Sequence, residues 1–254
     1  MNKIGLILAS WNDIKYLSSC LQTWINWREH NPLIIAVLDV CFQENGRGDS
    51  TDGSVQLLRQ LKHNNKIDFF EILPPGLREH EARNVALKYL LDQGCEIIIS
   101  IGSDEIFKLS EITQIFNYVN KEEFIAVFKI HYKNYVGDEN HYVLGFKPNR
   151  IWRVNYNNYK LSEFFFDDDV KFSGPKGEIT DKQLPVKVIP NVLIDHFTWL
   201  DNERSKSKIL YQEKHFAPPV GFGCSYKWEN GKVVINTEFY KKTGQTIPEI
   251  YSVN

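Results

Sequence analysis

Polar and acidic side chains follow directly on several short apolar runs of the sequence, and their types suit a charged ligand. The groups are Ser10 to Asn12, Asp39, a loop that contains Asp49, Asp104 with Glu105, and Asp195 with His196. If the apolar runs are parallel strands, these groups lie along one edge of a sheet, because ligands of such sheets bind beyond the carboxyl ends of the strands. Carboxylates together with an imidazole suit Mn²⁺ or Mg²⁺, ions that bridge the phosphates of a ligand.

The first 122 residues alternate between apolar runs and amphipathic stretches, which is typical of βαβ units. Four runs predict strands that are buried on both faces: Ile4–Leu8, Leu33–Leu38, Ile67–Ile72 and Ile97–Ile101. Helices are predicted to begin after Asp13 and after Thr51, which would cap its helix, and to cover residues 82–90 and 112–119. The chain is therefore predicted to have an α/β fold, with a mostly parallel sheet flanked by helices.

The pattern changes after residue 122. Further strands are predicted at Phe124–Ile130, Tyr142–Phe146, Ile151–Val154 and Val192–Phe197, with a helix over 201–216. The segment 155–185 is polar and glycine-bearing, and it is predicted to be irregular. No linker separates the two halves, so the sequence predicts a single domain over 1–254 with a mixed C-terminal part.

Composition excludes several classes of function. The 254 residues carry 30 Lys and Arg against 32 Asp and Glu, so a formal net charge of -2 provides no bulk attraction to nucleic acid or acidic membranes. No stretch approaches the roughly 18 apolar residues that a transmembrane helix requires. The four cysteines form no CxxC pair, which predicts reduced, buried thiols and a cytoplasmic location. Four histidines are predicted to lie at the surface: His30, His63, His80 and His215.

Four motifs in this order resemble those of family 2 glycosyltransferases, which have the GT-A fold and bind nucleotide sugars. Ala9-Ser10-Trp11-Asn12 resembles the family's Pro-x-x-Asn turn, with Ala in place of Pro. Ser50 to Ser54 resembles its Asp-Gly-Ser-Thr-Asp-Gly-Thr stretch, and Glu81 to Asn84 its Ala-Arg-Asn helix start. Ser103-Asp104-Glu105 falls where the Asp-x-Asp metal motif is expected. The match runs in register from residue 4 to about residue 110, with later matches at Arg150 to Arg153 on the acceptor side and at Asp195-His196-Phe197.

This resemblance implies a GT-A-like (Rossmann-like) fold, with a nucleotide-sugar-binding half over 1–122 and an acceptor-side half over 123–254. It implies transfer of a sugar from a nucleoside-diphosphate donor, most often a UDP-sugar, to a hydroxyl acceptor in glycan or polysaccharide synthesis. Inversion at the anomeric carbon and dependence on Mn²⁺ or Mg²⁺ are implied as well. Because no membrane span is predicted, the acceptor is expected to be a soluble glycan or a lipid-linked one met at the membrane surface, with the chain cytoplasmic or peripheral at the membrane. Its oligomeric state is left open.

The resemblance also implies roles for individual residues. Asp39 would accept hydrogen bonds from the base or ribose, with Asp49 as the alternative because Cys41 to Arg47 is an insertion. Ser10 and Asn12 would hold the base side of the donor, and Arg83 would face the diphosphate, since an arginine is always charged and binds phosphate bidentately. Asp104 would bind the metal, with His196 as a further ligand. An inverting transfer also needs a carboxylate base for the acceptor, for which Asp168 is preferred among the candidates Glu163, Asp167, Asp168 and Asp169.

Departures from the family pattern leave alternatives open. Gly102 stands where the first Asp of the metal motif would be, which favours, as an alternative, a nucleotide-sugar-binding module without turnover. A nucleotidyltransferase is a weaker alternative, because residues 9–13 lack the Gly-rich basic phosphate loop that it predicts. Structural explanations compete with the functional ones: a helix cap at Asp52-Gly53 or at Asp104-Glu105, a solvated helix face for Arg83, a core position for His196, and a solvated turn at Asp167 to Asp169.

Aromatic residues make up 13% of the chain, which fits either a large core or stacking on sugars. Trp11 follows the first strand, near the expected nucleotide. Several others lie in the half expected to bind the acceptor: Tyr132, Tyr135, Tyr142, Trp152, Phe164 to Phe166 and Trp199.

Overall fold

The computed structural model describes residues 2–41, 49–164, 169–200, 205–206, 209 and 225–253. Its helices are α1 (Ile14–Arg28), α2 (Ser54–His63), α3 (Glu79–Asp92), α4 (Leu109–Lys121) and α5 (Thr237–Thr243). Its first eight strands are β1 (Ile4–Ser10), β2 (Leu33–Asp39), β3 (Phe69–Ile72), β4 (Ile97–Gly102), β5 (Glu105–Ile106), β6 (Val127–Gly137), β7 (His141–Val143) and β8 (Asn149–Arg153). The remaining strands are β9 (Asn155–Tyr156), β10 (Tyr159–Phe164), β11 (Val170–Gly174), β12 (Gly177–Thr180), β13 (Val186–Leu200), β14 (Tyr226–Glu229), β15 (Lys232–Ile235) and β16 (Ile250–Ser252).

These elements divide into two compact units. The first unit comprises Met1–Ile130 and Lys147–Leu193, and the second comprises His131–Phe146 and Ile194–Asn254. Strands β6 and β13 contribute residues to both units. The expectation of a single domain over 1–254 stays a prediction.

The first unit is built on a mostly parallel sheet. Strands β1 to β4 are parallel in the order β3-β2-β1-β4, and β8 and β6 continue the sheet in the antiparallel sense. Strand β1 is buried along almost its whole length because it is central and covered on both faces. The predicted α/β fold with a mostly parallel sheet is confirmed.

Helices cover both faces of this sheet. On one face, Ile7 of β1 and Ala36 and Leu38 of β2 pack in a core that includes Ala86 and Leu90 of α3. Their neighbours along the strands point to the opposite face, because successive side chains of a strand alternate. Helices α1 and α4 pack against each other through Trp24, Trp27 and Phe116, with Phe107, just before α4, in contact with Trp24. These rings are almost fully buried, and those of Trp27 and Phe116 stack at 5.0 Å.

The described residues of the segment 155–185, which are 155–164 and 169–185, form regular structure, so the prediction that they are irregular is wrong. Strands β9 to β12 form an antiparallel sheet in the order β12-β11-β10-β9, and a 3-10 turn follows at Asp181–Gln183. Its apolar residues alternate with polar ones: Leu161 and Phe164 of β10 and Phe172 of β11 face the core beside α3, and Lys160 is exposed. One polar face of this sheet is open to solvent, which explains why its composition is typical of a loop.

The second unit contains the hairpin β6–β7, with β16 paired to β7, and the separate hairpin β14–β15. Its core includes Val136, Val143, Trp199, Tyr226 and Val233. A short turn joins the hairpin strands, because β6 ends at Gly137 and β7 begins at His141. Helix α5 is not predicted from the sequence. Most of the helix predicted over 201–216 lies outside the described residues.

Other sequence predictions differ in detail. The strand predicted from Phe124 begins at Val127, and Phe124 itself is 83% exposed. Helix α2 has Gly53 as its N-cap instead of Thr51. His80 is buried and not at the surface. Cys20, Cys41 and Cys95 are free, buried thiols, as predicted. Within the described part of the chain, no helix is both long and apolar enough to cross a membrane.

Candidate functional site

The carboxyl ends of β1, β2 and β4 lie side by side in the first unit. Ser10 pairs with Asp39 across β1 and β2, and Ala9 pairs with Gly102 across β1 and β4. This parallel register places the loops that follow the three strands at one edge of the sheet. This edge therefore contains four of the residues that are expected to bind the nucleotide-sugar donor: Ser10, Asn12, Asp39 and Asp104.

Asp39 and Asn12 are linked through the hydroxyl of Ser50. Asp39 is fully buried, and its carboxylate accepts hydrogen bonds from the Ser50 backbone N–H at 2.8 Å and from the Ser50 hydroxyl. The same hydroxyl accepts the Asn12 N–H at 2.7 Å, and Asn12 Oδ1 accepts the Thr51 N–H at 2.8 Å. Asn12 has a φ of 48°, a left-handed conformation that asparagine tolerates better than most residues. Burial raises the pKa of the Asp39 carboxyl, and the hydrogen bonds from Ser50 offset part of this increase.

Asp52 also joins the loops that follow β1 and β2. Its Oδ2 accepts the N–H of Ile14, the first residue of α1, at 2.8 Å, and its Oδ1 accepts the N–H of Ser54, the first residue of α2, at 3.0 Å. One carboxylate thus satisfies the start of two helices, where free N–H groups require a partner. The capping explanation for Asp52 is confirmed.

Asp13 connects this pair of loops to the third. Its carboxylate accepts a hydrogen bond from the hydroxyl of Ser103, in the turn after β4, and its N–H lies 3.4 Å from the hydroxyl of Ser54. Both Asp13 and Ser103 are buried. The three loops are therefore joined by side-chain hydrogen bonds before any ligand binds, which lowers the cost of ordering them on binding.

Arg83 is buried in α3, so a solvated helix face is excluded. The residue is 8% exposed, and its guanidinium pairs with Glu79, one turn earlier in the helix. Arg83 Nε is buried and has no hydrogen-bond partner among the described residues. The neighbouring Asn84 binds the backbone of Phe164 twice, accepting its N–H at 2.7 Å and donating to its carbonyl at 3.4 Å.

Two further polar atoms near the end of β1 lack partners within the described parts of the chain. They are the hydroxyl of Ser10 and the indole Nε1 of Trp11. A buried polar atom without a partner costs free energy. These two atoms offer hydrogen-bond donors to a ligand at the end of β1, and Arg83 Nε is a further buried donor on α3.

The turn after β4 carries the two acids of the expected metal motif. Asp104 is 3% exposed and Glu105 is 2% exposed. Helix α4 begins later, with Lys108 as its N-cap, so the capping explanation for these two acids is wrong. A Cβ atom added to Gly102 would lie 2.6 Å from Asp104 Oδ1, so the carboxylate of Asp104 occupies the space that a side chain at 102 would need.

The carboxylates of this turn lie close to a buried thiol, that of Cys20. Cys20 of α1 donates to the backbone carbonyl of Glu105 at 3.3 Å. Burial raises the pKa of the Cys20 thiol well above its usual range, and the carboxylates of Glu105, Asp104 and Asp13 raise it further. Three carboxylates therefore act on one buried position. Oxygen donors of this kind suit a hard divalent cation, which would offset their charge.

Arg150 and Arg153, matched to an acceptor-side motif in the sequence, have other partners in the first unit. Arg150 donates to both carboxylate oxygens of Glu105, at 3.2 Å from Nε and 2.9 Å from Nη2. Arg153 donates to the backbone carbonyls of Val119 and Glu122, at the end of α4. Arg153 thus stabilises a helix end, where free carbonyls favour a cation.

His196 lies in the second unit and is 6% exposed. Its Nδ1 is hydrogen-bonded to Asn134 Oδ1, and its Nε2 lies 2.6 Å from the hydroxyl of Thr198. Its ring lies 5.1 Å from that of Tyr132. These contacts hold the imidazole in one orientation within its own unit. Its part as a metal ligand stays a prediction.

The expected catalytic bases Asp167 and Asp168 lie outside the described residues. Asp169 forms an ion pair with Lys182, and Glu163 lies 3.8 Å from Lys171. Asp49 is described and exposed, whereas its alternative Asp39 is buried.

Most of the second-half aromatics belong to the protein core. Tyr132, Trp152 and Phe164 are almost fully buried, and Tyr135 and Trp199 are 7% exposed. Trp152 also donates its indole N–H to the buried Asp181 at 3.2 Å. The core explanation therefore accounts for these rings.

No protein-family model matches the sequence, and no curated protein matches it. Solved structures do match. Residues 1–349 of Staphylococcus aureus TarS align over 77% of this chain and 60% of that one, with 16% identity and a TM-score of 0.50. A second S. aureus TarS structure aligns over 59% of this chain and 28% of that one, with 20% identity and a TM-score of 0.43. A protein from Desulfovibrio desulfuricans G20 assigned as a nucleotide-diphospho-sugar transferase aligns over 60% of this chain and 64% of that one, with 13% identity and a TM-score of 0.35.

The first match bears on the fold. At 16% identity it identifies an architecture and not an activity, and the chain spans less than two thirds of the TarS fragment. The chain has a GT-A-like fold, as the sequence motifs predicted.

Proposed function

We propose that the chain is a glycosyltransferase that moves a sugar from a nucleoside-diphosphate donor, a UDP-sugar, to a hydroxyl acceptor in glycan or polysaccharide synthesis. In this proposal the transfer inverts the anomeric carbon and depends on Mn²⁺ or Mg²⁺. The acceptor is a glycan or a lipid-linked sugar. The protein acts in the cytoplasm or at the membrane surface.

One observation supports this proposal: side-chain hydrogen bonds join three loops at the carboxyl ends of β1, β2 and β4, and at the end of β1 the buried Ser10 hydroxyl and Trp11 Nε1 lack partners among the described residues. A nucleotide offers acceptors to such groups, and Arg83 Nε suits a diphosphate oxygen because it is a charged donor. Trp11 suits a base, because an indole stacks on planar rings and carries an N–H. Asp39 and Asn12 would then set the position of the base side through Ser50.

Asp104 would hold the metal, and the acidic residues of its turn fit a divalent cation. The carboxylate is buried, and the adjacent Glu105 is a second buried acid in the same turn. When bound, the ion would neutralise charge that develops on the diphosphate leaving group. His196 as a further ligand, and Asp168 or Asp167 as the base that takes the acceptor proton, are parts of the proposal that come from the sequence.

Gly102 favours a second candidate function, a nucleotide-sugar-binding module without turnover. A single aspartate in the turn gives a cation fewer charged ligands than the two-aspartate motif. The two candidates agree on donor binding and differ in whether the donor is consumed.

Incubation with Mn²⁺ and a panel of UDP-, GDP- and TDP-sugars, with and without glycan acceptors, separates them. Release of nucleoside diphosphate is expected for a transferase, since some transferases hydrolyse their donors slowly. Asp104→Ala is expected to abolish release, whereas Asp92→Ala is expected to leave it unchanged because Asp92 is an exposed acid on α3. Tight binding without release would favour the module, and full metal-dependent release by Asp104→Ala would refute the metal assignment.

A further inference from the structure

Arg150 is joined to the turn that carries Asp104 through a buried bidentate ion pair. Its Nε and Nη2 donate to the two oxygens of Glu105 at 3.2 and 2.9 Å, and the two side chains are 7% and 3% exposed. The parallel fork of two N–H groups matches a carboxylate and fixes both distance and orientation. Glu105 directly follows Asp104 in the chain, so the pair restrains the turn next to the proposed metal ligand.

Strand pairing explains how Arg150 reaches this turn. Strand β8 runs antiparallel to β4, and Ile151 pairs with Ile99. Arg150, one residue before Ile151, therefore lies towards the carboxyl end of β4, where the turn begins. Cys20 adds a second restraint through its hydrogen bond to the Glu105 carbonyl. The side chain and the backbone of Glu105 are thus both held.

The restraint by Arg150 also opposes charge repulsion within the turn. Asp104 and Glu105 are adjacent acids, 3% and 2% exposed, in the same turn. Without a restraint, neighbouring carboxylates repel one another and would spread apart. Arg150 binds one of them in a fixed position, while Asp104 fills the space beside Gly102.

We propose that Arg150 is a positioning residue for the metal site: by clamping Glu105, it fixes the turn 102–105 so that Asp104 presents its carboxylate to a divalent cation. This inference rests on the proposed function, because it assumes that Asp104 binds the cation. In this role Arg150 acts on the side of the site that binds the sugar donor, whereas its sequence motif resembles an acceptor-side motif.

Whether a substitution of Arg150 weakens or tightens Mn²⁺ binding distinguishes a positioning role from simple charge repulsion. A cation close to a metal site weakens metal binding by repulsion, so removing a bystander arginine would tighten Mn²⁺ binding. Removing a positioning arginine weakens it. Arg150→Lys is the sharper variant, because it keeps the positive charge and loses the bidentate fork.

Mn²⁺ binding to the full chain is measured by calorimetry, and the Mn²⁺ electron paramagnetic resonance spectrum is recorded alongside. Arg150→Lys is expected to bind Mn²⁺ about tenfold or more weakly than the wild type, as is common when a residue that orients a metal ligand is changed. The spectrum is expected to change because the coordination geometry loosens. Unchanged or tighter Mn²⁺ binding by Arg150→Lys would overturn the inference.

A double variant covers the case in which the single variant does not fold. Arg150→Leu with Glu105→Leu removes both charges together, so no buried charge is left unpaired. It is expected to fold by circular dichroism and to bind Mn²⁺ as weakly as Arg150→Lys. Wild-type affinity in the folded double variant would refute positioning. A wild-type protein that binds no Mn²⁺ would overturn the proposed metal dependence itself, and with it this inference.

Discussion

The Ser50 hydroxyl bridges buried Asp39 and Asn12 between the loops after β1 and β2, so Ser50→Ala is an informative perturbation of the site's architecture. The change removes a hydroxyl that donates to buried Asp39 and accepts from the Asn12 N–H. The backbone bond from the Ser50 N–H to Asp39 remains. The variant therefore loses two hydrogen bonds at a buried position and creates little empty volume.

The expected cost follows from the two bonds. A hydrogen bond to a charged group contributes about 1.5–3 kcal/mol, and a buried donor left without a partner costs about 1–3 kcal/mol. Since the Asn12 N–H is only partly buried, we expect a total loss of about 3 kcal/mol in the free energy of unfolding. That is a large share of the roughly 5–15 kcal/mol that stabilises a typical folded protein.

Urea unfolding followed by tryptophan fluorescence measures this loss. With a urea dependence of about 3 kcal/mol per molar, the midpoint of Ser50→Ala is expected to fall by about 1 M. Ser110→Ala is the matched control, because Ser110 is exposed on α4 and its loss is expected to change stability by less than about 0.5 kcal/mol. A midpoint for Ser50→Ala that is indistinguishable from this control would refute the reasoning that the two loops are coupled through Ser50.

Three more predictions concern the same unit. Because burial raises the folded-state pKa of Asp39, its contribution to stability is fully present below the ordinary value of 3.8 and is lost as pH rises through the raised value. The stability of the wild type relative to Asp39→Asn should therefore fall over that pH range in urea titrations. Asn84→Ala should lose about 1–3 kcal/mol and expose the amide of Phe164 to hydrogen exchange, since both backbone bonds to Phe164 disappear. Gly102→Ala should weaken Mn²⁺ binding about tenfold in calorimetry, because the added Cβ displaces the carboxylate of Asp104.

Each of these has a result that would contradict it. A pH-independent difference between the wild type and Asp39→Asn would mean that the carboxylate does not titrate abnormally. Unchanged protection of the Phe164 amide in Asn84→Ala would show that β10 does not depend on the hydrogen bonds from the Asn84 side chain of α3. Wild-type Mn²⁺ affinity in Gly102→Ala would show that Asp104 adopts another position at no cost.

The sheet of the first unit could be predicted because its strands are buried on both faces. Runs such as Ile4 to Leu8 and Ile97 to Ile101 have no other simple explanation at that length. The sheet over 155–180 was missed because its strands are short and one face is solvated. Its signal is present in Val170 and Phe172, which alternate with Lys171 and Ser173.

The candidate site was predictable in its position but not in its connections. Motif order placed Asn12, Asp39 and Asp104 at strand ends, and the register of β1, β2 and β4 confirms that placement. The bond between Ser50 and Asn12 joins residues 38 positions apart, and a long-range hydrogen bond of that kind leaves no local pattern. The sequence pattern indicates only that a helix begins after Asp13, and the bond of Asp13 to Ser103 has no sequence signal.

Arg150 shows the same limit. Its local motif gives no sign of the bond to Glu105, 45 positions away, which the antiparallel pairing of β8 with β4 makes possible. Strand order decides where a side chain acts, and a motif does not encode strand order.

The proposal that this edge of the sheet binds a nucleoside diphosphate through a metal at Asp104 is tested most directly by calorimetric titration of UDP with and without Mn²⁺. Wild-type protein is expected to bind UDP about tenfold more tightly with Mn²⁺, and Asp104→Asn is expected to lose that gain while still binding UDP weakly through the base side. Equal UDP affinity with and without Mn²⁺ in the wild type, or a full Mn²⁺ effect in Asp104→Asn, would contradict it.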